Sequence, residues 1–469
     1  MAFWGKNQIN GQPGQRPMPN VTARNGGGPQ APAQQPAAAP QAAPKKNSLV
    51  DSFNQLLFLK KKNPVMDIAT KLCDLILEHA VVERTSDIHI ESQGINVRVR
   101  FRVDGILNDM LVFQKTPDIP LVQRIRVLAG FDPEPSTAFK QEDGRFQKIV
   151  SGRGIQLRVS SFPTVNGEKI VMRVVDRAQL SIDLDKLGLM PDTLGLVRRL
   201  IKNPYGMLFL TGDTGSGKTT TLYAILKEIN MPSVNIITLE DPVEYRMEGI
   251  NQAQIEPKRG FSWKEALVSI LRQDPNVIMI GEVRDFETAE MSMRFALTGH
   301  LLFTTIHTIS APSTIERLFE MGVPPFLIAS SMLGAMSQRL VRRLCPYCSK
   351  PASALTEPAV NEFTKNMDLE EAKIVKQLIL SPGANFKIPN LAGCPNCRNG
   401  YRGRIGLFEL MVMNESIRKH VLANAPTDVI RRTAINTAGM RTLLMDGILK
   451  ARLGETSLAE VIRVTATMV

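Results

Sequence analysis

Apolar and polar residues alternate along two stretches of the first 180 residues, a pattern typical of half-buried β-strands. In the stretch 97–103, valine and phenylalanine alternate with arginine. Further on, alternating segments at 155–159 and 170–174 flank an Asn-Gly dipeptide at 166–167, which favours a hairpin turn. A helical spacing of apolar residues, from 68 to 76, precedes both stretches. The pattern predicts an N-terminal α+β region.

Beyond residue 200, short apolar runs alternate with segments of helical periodicity. The runs lie at 207–210, 235–239, 277–280 and 301–306. Repeated strand and helix segments of this length indicate a mostly parallel sheet with both faces covered by helices. The second part of the chain is therefore predicted to be an α/β domain, separated from the first by a linker.

A glycine-rich turn joins the run 207–210 to a helical segment. It reads GDTGSGKT and fits the phosphate-binding pattern GxxxxGK[ST] in its strand–loop–helix context. The glycines let successive N–H groups point at phosphate oxygens, and the helix N-terminus adds partial positive charge. We expect Lys218 to reach the β- and γ-phosphates of ATP and Thr219 to ligate Mg²⁺; a turn without a ligand is the alternative. The predicted nucleotide-binding residues are Gly212, Asp213, Thr214, Gly215, Ser216, Gly217, Lys218, Thr219 and Thr220.

Two glutamates follow apolar runs of the α/β region. Glu240 ends the run 235–239, and Glu282 comes just after 277–280. Strand C-termini in such sheets open onto the ligand crevice, so we expect one carboxylate on the metal or its water shell and the other on the attacking water. Either glutamate alone is also compatible with a helix cap. His307 is interpreted as a γ-phosphate sensor or, alternatively, as a structural histidine at a strand end.

Arginines lie on the polar faces of the N-terminal strands. If the hairpin pairs about Asn166-Gly167, Arg158 and Arg173 become diagonal neighbours on one face, although Pro163 leaves the register open. Two arginines on a rigid hairpin suit the charge that develops on a triphosphate during hydrolysis. The arginines within 97–103 are interpreted as a solvated face or, alternatively, as a face toward an acidic subunit or nucleotide.

Four of the five cysteines form two CxxC pairs, Cys345 with Cys348 and Cys394 with Cys397. Thiolates at this spacing share one tetrahedral Zn²⁺, and four of them leave no open coordination position. The predicted zinc site is therefore structural, with a small subdomain between the pairs; redox chemistry is the alternative. Cys73 is interpreted as a small buried hydrophobe.

The composition narrows the class of protein. The chain has 469 residues, 43% of them hydrophobic, and a formal charge of +12, which favours acidic lipid, acidic protein or nucleic acid as partners. Residues 1–47 are rich in Gly, Pro, Ala and Gln and predict a disordered tether. Its tip carries Phe3 and Trp4, interpreted as a disordered end or as a docking hook. No signal peptide or membrane-length apolar run is found, so a cytoplasmic protein is expected.

From Asp67 to the C-terminus, the chain resembles the type II secretion and type IV pilus assembly ATPases of the secretion-ATPase superfamily. The motifs are SDIHIE (86–91), FRVDG (101–105), EDGR (142–145), the phosphate-binding loop, TLEDPVEY (238–245), GEVRD (281–285), TGHLLFTTIHT (298–308), QRLVRRLC (338–345), the CxxC pairs and GRIGLFE (403–409).

The resemblance implies a PAS-like N-terminal domain joined flexibly to a RecA-like domain. It also implies that Glu240 is the general base, Glu282 the Walker B carboxylate and His307 a residue near the γ-phosphate, and that Arg158 and Arg173 reach the nucleotide. The predicted segments are a disordered tail (1–48), the PAS-like domain (49–180), an interdomain linker (181–199), the RecA-like ATPase core (200–340), a zinc subdomain (341–409) and a C-terminal helical subdomain (410–469).

The implied function is that of a cytoplasmic homohexamer, peripherally associated with the inner membrane, that powers pilin or pseudopilin assembly. ATP closes the two domains, hydrolysis reopens them, and an inner-membrane platform protein receives the motion. A membrane-recruiting partner is implied, and the basic tail suggests contact with acidic lipid. The CxxC pairs favour assembly over retraction motors. A nucleic-acid translocase of the conjugation type and a DNA-uptake pilus motor are the alternatives, although nucleic acid is not the expected partner.

Three positions depart from the family pattern. Ile309 and Ser310 replace the Asn and Asp expected after the histidine motif, and Glu142 stands where Gln is common. The tail stands in place of a further N-terminal domain that docks many members on a membrane partner. None of the three departures is expected to touch the phosphates, so activity is expected to survive.

Overall fold

The structure is a computed structural model that describes residues 48–62, 67–117, 119–132, 140–176, 183–353 and 356–466. The predicted tail, apart from residue 48, and its aromatic hook at Phe3 and Trp4 lie outside the described residues.

The N-terminal region consists of three helices and six strands. In chain order they are α1 (Leu49–Lys62), α2 (Ile68–Val82), β1 (Thr85–Gln93), β2 (Asn96–Val103), β3 (Ile106–Gln114), α3 (Leu121–Ala129), β4 (Glu142–Val150), β5 (Arg153–Thr164) and β6 (Gly167–Asp176). The strands form one antiparallel sheet in the order β3-β2-β1-β6-β5-β4. The three helices pack their apolar faces on this sheet, and the predicted α+β class is confirmed.

Helix α1 was not anticipated from the sequence pattern. Leu49, Phe53 and Leu56 are all buried, and their spacing of four and three residues is a helical stripe. The stripe is short and lies directly after the low-complexity tail, which is why it was missed.

The hairpin β5–β6 differs from the predicted pairing by one residue. Thr164 pairs with Gly167, so Val165-Asn166 is the two-residue loop. Gly167 has φ +114, and as the first residue of β6 it accommodates a backbone conformation that other residues avoid. Because of this shift, Arg158 and Arg173 are directly opposite each other, and the predicted diagonal arrangement is wrong.

The arginines of β2 are paired within their own sheet. Arg98 donates to Asp109 Oδ1 at 2.5 Å and Arg100 to Glu91 Oε1 at 2.6 Å, and Arg102 lies 3.6 Å from Asp87. Each guanidinium is therefore neutralised by a carboxylate on a neighbouring strand. This pairing supports the interpretation of a solvated strand face.

The second part of the chain begins with a helix and continues as alternating strands and helices. Its helices are α4 (Pro191–Leu200), α5 (Lys218–Ile229), α6 (Trp263–Ile270), α7 (Phe286–Leu297), α8 (Ser313–Glu320), α9 (Pro325–Ser331), α10 (Glu357–Thr364), α11 (Leu369–Leu380), α12 (Glu415–Leu422), α13 (Thr427–Ala438), α14 (Leu443–Arg452) and α15 (Leu458–Thr465). Its strands are β7 (Gly206–Thr211), β8 (Ile236–Glu240), β9 (Asn251–Gln254), β10 (Val277–Ile280), β11 (Leu301–Ile306), β12 (Met332–Leu344), β13 (Lys350–Pro351), β14 (Lys387–Ile388) and β15 (Tyr401–Val412).

Seven of these strands form one sheet in the order β15-β12-β7-β11-β10-β8-β9. All neighbours pair in parallel except β15, which is antiparallel to β12. Hydrophobic clusters cover both faces of the sheet, as parallel strands require. The prediction of a mostly parallel α/β domain is confirmed. Within the described residues, no helix is both long and apolar enough to span a bilayer.

The predicted domain limits stay predictions, but two elements cross them. Strand β12 runs through the predicted boundary at residues 340–341, and β15 through the one at 409–410. The second part of the predicted linker, 191–199, belongs to helix α4, whose Val197 is fully buried in the core beside β7. The ATPase core, the cysteine segment and the C-terminal segment therefore share one continuous sheet.

Candidate nucleotide-binding and metal sites

The glycine-rich loop lies between β7 and α5, as the motif predicts. Gly212, Gly215 and Gly217 all have positive φ, at +139, +79 and +93. A Cβ on Gly217 would lie 2.7 Å from Gln338 Nε2, and one on Gly212 would collide with the Gln338 carbonyl oxygen. Both the conformation and the space therefore require glycine. The N–H groups of this loop and the first turn of α5 remain the predicted anion cradle.

Lys218 lies inside the loop. Its Nζ donates to the Gly212 carbonyl at 2.6 Å and to the Asp213 carbonyl at 3.0 Å. Burial lowers the pKa of this ammonium, while the carboxylates of Asp213 and Glu282 oppose the shift. The Ser216 hydroxyl is buried and has no hydrogen-bond partner among the described residues. A phosphate oxygen is a suitable acceptor for both groups, so the cradle fits a polyphosphate.

Glu282 and His307 meet at the carboxyl edge of neighbouring strands. Glu282 follows β10 and His307 follows β11, and Glu282 Oε2 lies 3.5 Å from His307 Nε2. Thr305 Oγ1 donates to the Gly281 carbonyl at 2.7 Å and ties the two strand ends together. The structure thus pairs Glu282 with His307 and places Glu282 near enough to Lys218 for its charge to act on that ammonium. Glu282 also pairs with Arg284.

Glu240 has a different environment. Its carboxylate is buried and accepts hydrogen bonds from Thr238 Oγ1 at 2.6 Å, from Gln252 Nε2 at 3.1 Å and from the Tyr223 hydroxyl of α5. Burial raises the pKa of Glu240, against the effect of these donors. In the described part of the chain, no hydrogen bond or ion pair joins Glu240 to Lys218, Glu282 or His307. Its role as general base stays a prediction.

The two hairpin arginines have different partners. Arg158 reaches out of its sheet, with Nη2 2.9 Å from Glu244 Oε2 and 3.5 Å from the Val243 carbonyl. It therefore contacts the segment that directly follows Glu240. Arg173 is largely exposed, and its Nε donates to Asp87 Oδ1 at 3.2 Å within the N-terminal sheet. Among the described residues, the polar contacts thus join Arg158 to the ATPase domain and Arg173 to its own sheet.

The four predicted zinc ligands converge. The Sγ atoms of Cys345, Cys348, Cys394 and Cys397 all lie within 4.8 Å of one another. The separations are 3.8 Å for Cys345–Cys394 and 3.5 Å for both Cys348–Cys397 and Cys394–Cys397. With Zn–S bonds of about 2.3 Å, the edge of a regular tetrahedron is about 3.8 Å, so this set fits a single zinc ion. Cys73 is apart from this cluster and buried, and burial raises its thiol pKa to about 11.

The sequence of this chain matches a known protein family over most of its length. The family model described as "Type II/IV secretion system protein" matches residues 62–463. The chain belongs to this family. The chain is 40% identical over 397 residues to the type II secretion system ATPase E of Vibrio cholerae, covering 84% of this chain and 75% of the relative. It is 41% identical over 398 residues to the type IV pilus assembly ATPase PilB of Myxococcus xanthus, covering 84% and 68%.

Two solved structures share the fold of this chain. The Legionella pneumophila ATPase DotB superposes with a TM-score of 0.59 at 21% identity, covering 83% of this chain and 93% of that one. The pilus retraction motor PilT with bound ADP gives a TM-score of 0.54 at 23% identity, covering 83% and 96%. Membership of a family of named ATPases implies that a nucleotide and Mg²⁺ are used; the four thiolates are suited to zinc.

Sequence reasoning about this secretion ATPase missed a carboxylate in the core of the sheet. Glu409 of β15 is buried and accepts the Ala311 N–H at 2.7 Å, while Ser337 of β12 donates to the Ile309 carbonyl at 3.3 Å. Together they fix the segment that directly follows His307. Glu409 stands in the GRIGLFE motif, and a glutamate within an otherwise apolar strand is a signal that it has a buried partner. That partner, the Ala311 N–H, is 98 residues away along the chain, so only the folded structure reveals it.

Proposed function

We propose that this chain is an ATPase that converts ATP hydrolysis into domain motion for pilin or pseudopilin assembly in a type IV pilus or type II secretion system. The observation that carries the proposal is the polar cluster at the carboxyl edge of the parallel sheet. There Glu282 contacts His307, and the Glu282 charge acts on Lys218 of the phosphate-binding loop. Arg158 reaches the neighbouring Val243–Glu244 segment from a different domain.

The residues divide the work as follows. The loop 212–217 and Lys218 bind the β- and γ-phosphates, and Thr219 at the start of α5 holds Mg²⁺. Glu282 acts on the metal or its water shell, and His307, beside it, contacts the γ-phosphate. Glu240 orients the attacking water.

The N-terminal arginines connect hydrolysis to motion. In the proposed cycle, Arg158 and Arg173 move to the γ-phosphate when ATP closes the two domains. Loss of that phosphate removes their ligand, so the domains reopen. The ion pair of Arg158 with Glu244 supports this role because it shows that the hairpin reaches the ATPase domain.

The proposed assembly is a cytoplasmic homohexamer at the inner membrane, with a platform protein and a membrane-recruiting partner. The cluster of four thiolates is proposed to bind a structural Zn²⁺. Lys60, Lys61 and Lys62 end helix α1 directly after the exposed Phe58 and Leu59. Acidic lipid is the proposed partner of this basic segment together with the tail.

A nucleic-acid translocase is the alternative, suggested by the positive charge of the chain. The pairing of Arg98, Arg100 and Arg102 with carboxylates in their own sheet disfavours it, since these guanidinium groups are neutralised.

The test is the steady-state ATPase rate, measured together with the size-resolved mass of the assembly. The expected result is a hexamer of this 51.9 kDa chain, stimulated by the cytoplasmic part of a candidate platform protein and indifferent to DNA. Stimulation by DNA that falls steeply with salt would instead identify a translocase. Absence of hydrolysis in the full chain with Mg²⁺ would contradict the ATPase assignment itself.

A further inference from the structure

The phosphate-binding loop carries a negative charge of its own. Asp213 is the second residue of GDTGSGKT, and its side chain is 58% exposed. A carboxylate next to a polyphosphate is a like-charge contact, which weakens binding unless a cation offsets it. The loop has one cation of its own, Lys218, whose charge Asp213 offsets, so a second cationic partner for Asp213 is needed to leave the loop net positive.

Arg339 of β12 is that partner. Its guanidinium pairs with Asp213 Oδ2, and its side chain is only 14% exposed. A pair in which one side chain is largely shielded from solvent is screened less by water and salt than a pair between two exposed side chains. The Arg339 Nε is also buried and has no hydrogen-bond partner in the described part of the chain.

Strand β12 fixes this arginine beneath the loop. Ser337 pairs with Thr211, the last residue of β7, so the next residues of β12 lie where the loop begins. The Gln338 side chain accepts a hydrogen bond from Thr221 Oγ1 at 2.7 Å. The backbone carbonyl of Gln338 packs against Gly212. The phosphate-binding loop thus packs against Gln338 and Arg339, and the register of β12 against β7 fixes the position of Arg339.

We propose that Arg339 is a positioning residue for the nucleotide, because it neutralises Asp213 and so keeps the phosphate-binding loop net positive. This inference rests on the nucleotide binding proposed above and extends it to a strand outside the loop. It assigns the first arginine of QRLVRRLC a role through Asp213 rather than through a direct phosphate contact.

The test is a double-mutant cycle read out by the Kd for ATP and ADP with Mg²⁺. R339Q is expected to raise both Kd values at least tenfold, since it leaves Asp213 uncompensated. The double variant R339Q/D213N is expected to return to within threefold of D213N alone, and R339K, which keeps the charge, to within threefold of wild type. The matched control is R343Q, because Arg343 is on the same strand and pairs with Glu455 at 3.6 Å; its Kd values should not change.

Two results would overturn the inference. One is a Kd for R339Q within twofold of wild type, and the other is a double variant that binds as weakly as R339Q. D213N keeps the test decisive if R339Q does not fold, since Asp213 is exposed. Its Kd is expected to fall at least threefold below that of wild type, because Arg339 then adds an uncompensated positive charge beside the phosphates, and a smaller fall or any rise contradicts the proposal. A wild-type chain that binds no nucleotide would instead contradict the proposed function.

Discussion

Glu240 and Glu282 stand at the ends of neighbouring strands, yet their surroundings differ. Glu282 is partly exposed and lies beside His307 and Arg284. Glu240 is buried among neutral donors, and burial raises its pKa. Two carboxylates with such different environments are suited to different tasks in one reaction.

Replacing Glu282 should lower the turnover rate while leaving the affinity for ATP nearly unchanged. We expect Glu282→Gln to bind ATP with a Kd within about threefold of wild type, while its turnover falls at least 100-fold, because the charge that organises the metal shell is lost. Nucleotide titration and a steady-state assay measure the two effects. Robust hydrolysis by this variant would contradict the Walker B assignment. Glu287→Gln, an exposed change on α7, is the control and should retain turnover.

The burial of Glu240 leads us to expect that the stability of the chain depends on pH. Because the pKa of Glu240 is raised above 4.5 in the folded chain, the folded state holds this proton more tightly than the unfolded state. The contribution to the free energy of unfolding is present below pH 4.5 and is lost as pH rises through the folded pKa. Relative to wild type, Glu240→Gln should therefore gain stability as pH rises above 4.5, as measured by urea unfolding at a series of pH values. A difference that does not change with pH would show that the pKa of Glu240 is not raised by folding.

At the scale of elements, β12 connects the two candidate sites. Its middle, at Gln338 and Arg339, supports the phosphate-binding loop, and it ends at Leu344, directly before Cys345. Cys345 is also fixed to the second cysteine segment, since its N–H donates to the Gly400 carbonyl at 2.8 Å. A metal bound by the four thiolates would clamp the outer ends of β12 and β15.

Loss of one thiolate should therefore lower the stability of the whole sheet. We expect Cys394→Ser to lose the single zinc ion per chain and to unfold at least 5 °C lower, because metal binding is coupled to folding. Metal analysis and thermal unfolding measure this. Cys73→Ala is the control, since Cys73 is buried away from the cluster; it should lose stability but keep its zinc. A wild-type chain without zinc that is fully stable would rule out the zinc site.

At the scale of the whole molecule, a few polar contacts join the N-terminal sheet to the ATPase domain. Besides Arg158–Glu244, Arg398 Nε donates to Glu83 at 3.1 Å and the Gly403 N–H to Asp104 at 2.9 Å. The last contact joins the FRVDG and GRIGLFE motifs. Among the described residues, every hydrophobic cluster belongs to one side or the other.

Removing the arginine that crosses between the domains should affect turnover more than affinity. We expect Arg158→Gln to lower the turnover rate at least 100-fold and to change the Kd for ATP by less than threefold, because the arginine meets its phosphate only in the closed state. Arg153→Gln is the matched control, since Arg153 is on the same hairpin and pairs with Asp176 at 3.4 Å. Equal activity of the two variants would exclude Arg158 from the reaction.

The sequence predicted features set by local pattern and left open those set by pairing between distant segments. The phosphate-binding loop, the strand ends with Glu240 and Glu282, and the cysteine pairs are local motifs, and the structure places them as expected. The hairpin register was wrong because it depends on the backbone conformation of one residue, Gly167. The partners of Arg339 and Glu409 were not predictable, since they arise only when β12 pairs with β7 and β15.

The polar character of the contacts between the two domains has a thermodynamic consequence. Separating them exposes little apolar surface, and apolar exposure is what produces a large positive heat-capacity change. The closing equilibrium should therefore have a nearly linear van't Hoff plot, unlike the unfolding of either domain. A motor built in this way keeps a similar balance of open and closed subunits in the cold and in the warm, and its balance shifts with ionic strength instead.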